Sequence, residues 1–513
     1  TTNCEQNCIA EESCIGYSKR NMNASLKLIS TTVLDEIKLD LPNTYTDMHM
    51  GNVVALSNGD FLITTKITGS GTNTHKLHAQ LYDSSGNEKG SRINVYEFPK
   101  HVTGASGQSA VLKNDDIVVG FTSYQETTNE LYSAYFQRLN KDGVKQGSAT
   151  KISTIFDNTH SNNANAFQDP YVAAFENGGF IFVYTYHNRL SNGDSQYDTY
   201  FQRFDASGAK VGSETKVSTR VQLVKMTTSP RVTVFSDDSF VVYWGSDDTL
   251  TPSSQWDYII QFYHADGSKN GDQIYNHVVN GDQYSPRIDK FSDDSFVFVW
   301  RSDNHVASDS SLDLHFQLYS ASGQIIRNDT LINNENINNY QFNAELKVLN
   351  DDRFVIVYMS NELGGTSYNI YAEIFDKSGN QVLPRFNVAM AVDYSSNPLR
   401  YPKIAQLSNN NIVVVNRLGS TAQLMTIIEN INDHTAYSYG PKQIIYETTT
   451  NSYGGNLCTN TNDCELKCSN DGNCLGYNEV QKMVKQLVTN RVHTCAILND
   501  DTVKCWGGNF YGG

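Results

Sequence analysis

A sevenfold repeat of paired turns constrains what this chain can fold into more than any other feature. The first turn of each repeat falls at Asn58-Gly59-Asp60, Asn114-Asp115-Asp116, Asn177-Gly178-Gly179, Asp237-Asp238, Asp293-Asp294, Asp351-Asp352 and Asn409-Asn410, about 60 residues apart. A second turn follows at Asp83–Gly86, Asn140–Gly143, Asp205–Gly208, His264–Gly267, Ser320–Gly323 and Asp376–Gly379, and the seventh copy has Glu429-Asn430-Ile431-Asn432 instead. Glycine supplies the positive φ of a tight hairpin, and Asp or Asn bonds back to the turn backbone. Runs rich in Val, Ile, Phe and Tyr lie between the turns. The fourth repeat reads as strands at Arg231–Phe235, Phe240–Trp244, Tyr258–Tyr263 and Gln273–His277.

A single four-stranded sheet of this kind cannot bury both faces, whereas seven arranged radially pack each on the next. The reading is therefore all-β: a seven-bladed β-propeller of four-stranded blades, with small disulfide-stapled terminal segments. Asp35–Leu41 alternates apolar and polar residues ahead of the first unit, and is expected to close the ring by joining the last blade. Gln443–Tyr446 lies either beside it or outside. The expected organisation is a cysteine segment at 1–24, the propeller at 25–447, a second cysteine segment at 448–482 and a separate motif at 483–513. A chain of 513 residues with 30 Tyr and 23 Phe has ample material for such a core.

From about Met48 to Glu447 the units resemble tandem repeats of secreted and surface proteins from bacteria and protists. Phe201-Gln202-Arg203-Phe204-Asp205-Ala206-Ser207-Gly208 and Ser285-Pro286-Arg287-Ile288 carry the resemblance. It implies a surface scaffold or adhesive role and brings no catalytic motif.

The nine cysteines all lie outside the repeats. Cys4-x3-Cys8-x5-Cys14 near the front has the same spacing as Cys464-x3-Cys468-x5-Cys474 at the back, and each ends in Cys-x-Gly-Tyr. Zinc is the rival reading, but neither cluster carries a histidine, and the acidic, sequon-bearing context favours disulfides. These runs resemble the helix-to-strand core of PAN/apple modules, over about twenty residues at each end. That resemblance implies bridges Cys8–Cys14 and Cys468–Cys474, with Cys458 meeting Cys464. Cys4 is left unpaired or intermolecular, its partner being on a preceding segment or another chain. His493-Thr494-Cys495 to Lys504-Cys505-Trp506-Gly507 resembles one repeat of the RCC1-type propeller family. A three-residue turn at Asn499–Asp501 would set Cys495 opposite Cys505, in reach of a cross-strand disulfide. A single repeat cannot form a ring, so the chain reads as a segment of a longer multidomain protein.

The net charge of −16 leaves no basic footprint for nucleic acid or an anionic membrane. No apolar run has the length of a membrane span, and no signal peptide is visible. Asn23-Ala24-Ser25 and Asn328-Asp329-Thr330 are glycosylation sequons. The histidines are scattered without a metal-binding pair, and the Asp-rich turns lack the spacing of a calcium loop. No cofactor is expected.

Arg231, Arg287 and Lys403 occupy equivalent places on first strands, where sialidase-like propellers gather arginines around a carboxylate. Without a companion nucleophile pair, salt bridges between blades are the favoured reading. Gln137, Gln202, Gln261 and Gln317 read as hydrogen-bond partners inside the blades. The connections His187–Tyr197, Gly245–Trp256, Arg301–Leu312, Phe156–Asp169 and Asn333–Phe342 are long and dissimilar. Strands alternate in direction, so all of these emerge at one end of the ring. Tyr124, Phe167, Tyr186, Trp256, Tyr340 and Phe342 are the partner-face candidates there. The expectation is a non-enzymatic extracellular or cell-surface scaffold, adhesive or filament-forming. Its partners would be copies of itself joined head to tail, surface proteins or glycans. A lectin-like propeller is the alternative, and a glycoside-active enzyme a weaker one.

Overall fold

The computed structural model describes residues 37–40, 45–69, 75–98, 107–123, 133–153, 170–189, 195–218, 227–246, 257–275, 282–303, 312–332, 340–361, 368–389, 399–418, 422–428, 484–489, 493–498 and 503–507. The cysteine segments with Cys4, Cys8, Cys14, Cys458, Cys464, Cys468 and Cys474, together with Asn23 and Gln443–Tyr446, lie outside these residues. The chain divides into two compact units: Ile29–Gln443, and Thr1–Leu28 with Ile444–Gly513.

The large unit is a seven-bladed propeller in which every blade is a four-stranded antiparallel sheet. Six blades are continuous in sequence. The seventh uses Leu399–Gln406, Ile412–Leu418 and Ala422–Ile428, and takes its outer strand from Ile37–Asp40 at the front of the chain. Lys38 pairs with Leu424 and Leu39 with Gln423 in that closure. The inner strands neighbour one another in order, and the seventh neighbours the first. A second tie spans the same seam: the buried Gln423 side-chain amide, on blade seven, donates to Thr65 Oγ1 on blade one at 2.7 Å.

Alternation explains the core. Phe240–Ser246 and Phe296–Asp303 are second strands buried on both faces, so successive residues face opposite neighbours. Seven apolar clusters result, one between each pair of adjacent blades. The cluster between blades two and three holds Phe136, Phe180, Phe182 and Phe204, with Phe180 stacked on Phe204 at 5.1 Å. Each such ring contributes about 1.5–3 kcal/mol of burial. Outer strands are mostly exposed, and several carry lysine (Lys89, Lys145, Lys210, Lys269), which guards an open edge against pairing with another sheet.

The repeated glutamine holds the outer strand in place. Gln137 Nε2 donates to the carbonyls of Arg138 and Gly147 at 3.0 and 3.1 Å, and Gln80, Gln202 and Gln261 make the same pattern. Gly90, Gly147, Gly212 and Gly271, at φ +69 to +73°, form the bulge that this amide bridges. Gln317 differs: its Oε1 accepts from Tyr319 Oη at 2.7 Å. The bulge also explains one departure from the sequence reading. The outer strand of blade four spans Lys269–Tyr275, earlier than the Gln273–His277 expected, because Gly271 breaks the alternation that marks a strand.

At the tight-turn end, adjacent blades are clamped. Asp115, Asp238, Asp294, Asp352 and Asn410 occupy left-handed backbone (φ 61–66°) at the turn position where blades one and three have Gly59 and Gly178. Asp352 accepts from Ser292 N at 2.7 Å and from Ser292 Oγ at 2.6 Å, across to the preceding blade. Asp115 does the same for Ser57, Asp294 for Ser236, and Asp238 takes the Glu176 amide. Arginines add a second tie: Arg203 Nη1 donates to Ala265 O and Arg327 Nη1 to Ser378 O, each at 2.7 Å.

In the small unit, Val484–Thr489, His493–Leu498 and Val503–Gly507 form an antiparallel three-stranded sheet. Its register sets Cys495 opposite Cys505, as the expected turn requires.

Asp352→Ala retains the left-handed backbone but loses both bonds to Ser292, and is expected to lower stability by about 1–2 kcal/mol. Asp352→Gly relieves the backbone and should cost less. Denaturant midpoints of the two variants check the order: equal losses would show that the left-handed backbone carries no strain, and an Ala variant as stable as the native protein would show that the clamp contributes nothing.

Candidate functional site

The inner strands bring one equivalent ring position per blade to the channel wall, six residues before the first turn. Asn52, Gln108, Tyr171, Arg231, Arg287, Glu345 and Lys403 stand there. A second charged layer, two residues on, holds Asp289 and Lys347. The ring position is neither fully buried nor fully exposed in blades four to seven, with polar side chains between buried neighbours such as Val232, Ile288 and Leu346.

Glu345 is the hub. Arg287 clasps it with two parallel bonds, Nε to Oε2 and Nη2 to Oε1, both 2.8 Å. Lys403 Nζ donates to Oε1 from the other side. Burial acts to raise the Glu345 pKa, but Arg287 and Lys403 outweigh it and hold the carboxyl well below its usual range. Burial, reinforced by Arg287 and Arg231, lowers the Lys403 pKa against the pull of Glu345. Arg287 Nη1 is spent on Pro286 O at 2.8 Å. In the second layer Asp289 Oδ2 accepts from Lys347 Nζ and from Val348 N, both at 2.8 Å.

The salt-bridge reading thus describes Arg287 and Lys403. Arg231 departs from it. Its guanidinium lies 4.6 Å from the Tyr171 ring centre, and its buried Nε has no hydrogen-bond partner among the described residues. Glu345, Asp289 and Lys347 escaped the sequence reading. The signal was present: Glu345 stands six residues before Asp351, as Arg287 does before Asp293.

At the mouth nearer the long connections, the inner strands bulge at Ser285, Asn343 and Tyr401, whose φ values are 59°, 54° and 54°. Tyr401 is 44% exposed despite this strained backbone, and Tyr340 on the neighbouring blade is 43% exposed. Phe342 is half-buried, edge-on to Tyr368 at 4.7 Å. Tyr186 is buried rather than exposed at that end. It lies in the strand Phe180–Arg189 opposite Asp198 and is 5% exposed, because the alternation that buries Phe180, Phe182 and Tyr184 continues through it. The connection read as His187–Tyr197 shrinks to 190–194, since both flanking strands extend into it. Tyr124, Phe167 and Trp256 lie outside the described residues. Asn328 is exposed on the outer strand Ile325–Leu331 of blade five, and Thr330 Oγ1 donates to its carbonyl at 3.0 Å.

Residues 484–512 match the regulator of chromosome condensation (RCC1) repeat. No curated protein matches the sequence. Among solved structures, the chain is similar to a Dyadobacter fermentans protein of unknown function, with 9% identity and TM-score 0.44 over 78% of this chain and 99% of that one. It is similar to the β-propeller domain of the trilobed protease from Pyrococcus furiosus, with 11% identity and TM-score 0.43 over 75% and 95%. It is also similar to a Penicillium chrysogenum α-L-arabinanase complexed with arabinobiose, with 11% identity and TM-score 0.40 over 66% and 97%.

Glu345→Gln leaves the largely buried Arg287 and Lys403 without their shared counter-charge, and is expected to destabilise the propeller by about 3 kcal/mol at neutral pH. The folded-state pKa of Glu345 is depressed, so its stabilisation is present above the ordinary carboxylate pKa and is lost as pH falls through the lower folded value. Stability curves against pH should therefore converge in acid for the native protein and Glu345→Gln. Parallel curves would show that the hub contributes no linkage.

Proposed function

We propose that this chain is a non-catalytic recognition scaffold, working outside the cell or at its surface, with partners bound at the end of the ring that carries the long connections. The observation that carries this reading is the inequality of the two ends. Short turns and inter-blade clamps occupy one end, while all connections of variable length leave from the other. Variable loops on a rigid frame are the usual place for recognition.

The two channel carboxylates among the described residues, Glu345 and Asp289, support a non-catalytic role. Glycoside hydrolysis needs one carboxyl held as an acid and a second as base or nucleophile. Glu345 is instead clasped by Arg287 and Lys403, and Asp289 by Lys347 and a backbone amide. Tyr340 and Tyr401 suit a glycan-binding version of the scaffold as well as a protein interface, since exposed rings stack on sugar faces as readily as they bury against protein. The cysteine segments extend the proposal. Cys8–Cys14, Cys458–Cys464, Cys468–Cys474 and Cys495–Cys505 would be bridged, and Cys4 would join copies head to tail. Unlike surfaces that meet this way propagate as a filament unless the rotation closes.

The double variant Tyr340→Ser, Tyr401→Ser is expected to lose most binding on a glycan array or most self-association in light scattering, with unfolding little changed. Binding that survives the double variant, or maps to the tight-turn end, would overturn the assignment of the face. Material purified from its native source should carry glycan on Asn328, seen as a mass shift removed by Asn328→Gln. Its cysteines should resist alkylation until reduced. Free thiols at most cysteines would sink the extracellular reading.

A further inference from the structure

The ring of channel residues is unbalanced in charge. Among the described residues, Arg231, Arg287 and Lys403 share the ring with one carboxylate, Glu345, which leaves two formal positive charges in excess, while Asp289 and Lys347 cancel in the next layer. This surplus sits inside a chain of net charge −16. Low-dielectric walls focus such a field along the channel.

Its distribution picks out one residue. Arg287 has all three of its nitrogens engaged, with Glu345 and with the carbonyls of Pro286 and Ser285. Lys403 bonds Glu345 through one donor, and an ammonium has three. Arg231 has no carboxylate partner among the described residues, and its buried Nε is unsatisfied. The contact with Tyr171 orients the guanidinium without using its N–H groups, since cation–π attraction acts through the ring face. Arg231 is also near enough to Glu345 and Lys403 to influence how both titrate. A rigid guanidinium fork, held by a ring and left without an anion, suits an oxyanion from outside.

We propose that the propeller channel binds a small oxyanion, the carboxylate of an acidic sugar or a phosphate, through the fork of Arg231 with Lys403 assisting. Arg287 and Glu345 act as the fixed frame. This deepens the scaffold reading by naming the chemistry of one ligand, and it uses a site separate from Tyr340 and Tyr401.

Calorimetric titration of the intact chain at low ionic strength, with glucuronate, inorganic phosphate and neutral glucose as probes, tests it. Glucuronate or phosphate should bind and glucose should not. Binding of glucuronate alone assigns an acidic sugar, phosphate alone assigns a phosphate, and both assign a general oxyanion site. Arg231→Gln should weaken binding about tenfold or more. Lys145→Gln, on an exposed outer strand, should leave it unchanged. Should Arg231→Gln fail to fold, Arg231→Lys keeps the charge and removes the fork, and should still weaken binding. Failure of both anions to bind the native chain, or equal binding by a folded Arg231 variant, overturns the proposal. The Tyr340 and Tyr401 double variant should retain anion binding, so failure of the face assignment and failure of the channel site are told apart.

Discussion

Each blade has an apolar surface on both sides, and everything else in the propeller depends on that. Val297 and Val299 turn toward blade six while Phe296, Phe298 and Trp300 turn toward blade four, so a blade with one neighbour would leave half of its rings in water. At about 1.5–3 kcal/mol per large side chain, no network of surface hydrogen bonds offsets one open interface. The ring must therefore close, and the strand Ile37–Asp40 on blade seven makes the closure part of the fold rather than a chance contact of two ends. Packing sets the stability. The clamps at the tight turns add bonds between neighbouring blades at one end of the ring.

Those clamps show what a single sequence conceals. The Asp-Asp turns were readable as turns because local chemistry explains them: Asp237 Oδ1, for example, accepts from Ser239 N two residues on. The second aspartate of each pair has a distant reason. Asp294 reaches Ser236 and Asp352 reaches Ser292, some sixty residues earlier in the chain, and no local pattern marks such a partner. Glycine would relax the left-handed backbone, yet a carboxylate that accepts a backbone amide and a hydroxyl gains more than the strain costs, since bonds to a charged acceptor run to about 1.5–3 kcal/mol. Periodic features (strands, turns and the closing strand) were therefore legible. The early start of the outer strand at Lys269 was not, because a bulge removes the alternation from which strands are read.

The candidate site divides in the same way. Arg231, Arg287 and Lys403 look equivalent in sequence, and only the ring makes them different. Glu345 occupies the same register in blade six, between the blades that carry Arg287 and Lys403, and both reach it. Arg231 on blade four turns to Tyr171 on blade three instead. Tyr186, expected among the exposed aromatics, is buried for a related reason. An aromatic near the end of a strand looks like a loop residue when the strand is read too short, and Phe180–Arg189 runs three residues past it.

Repetition also separates what folds the molecule from what individualises it. The turn glycines, the bulge glutamines and the buried second strands recur because every blade must solve the same packing problem. The channel position is under no such demand: Asn52, Gln108, Tyr171, Arg231, Arg287, Glu345 and Lys403 all stand in equivalent places with seven different surroundings. A side chain there meets its neighbours around the lumen rather than the apolar interface between sheets, so its identity answers to those neighbours and not to the repeated packing of the blades. The same holds for the long connections, which join strand ends that the core already fixes. A sevenfold scaffold thus confines its chemical individuality to two regions, the lumen and one end. The charge surplus lies in the first and the exposed tyrosines in the second.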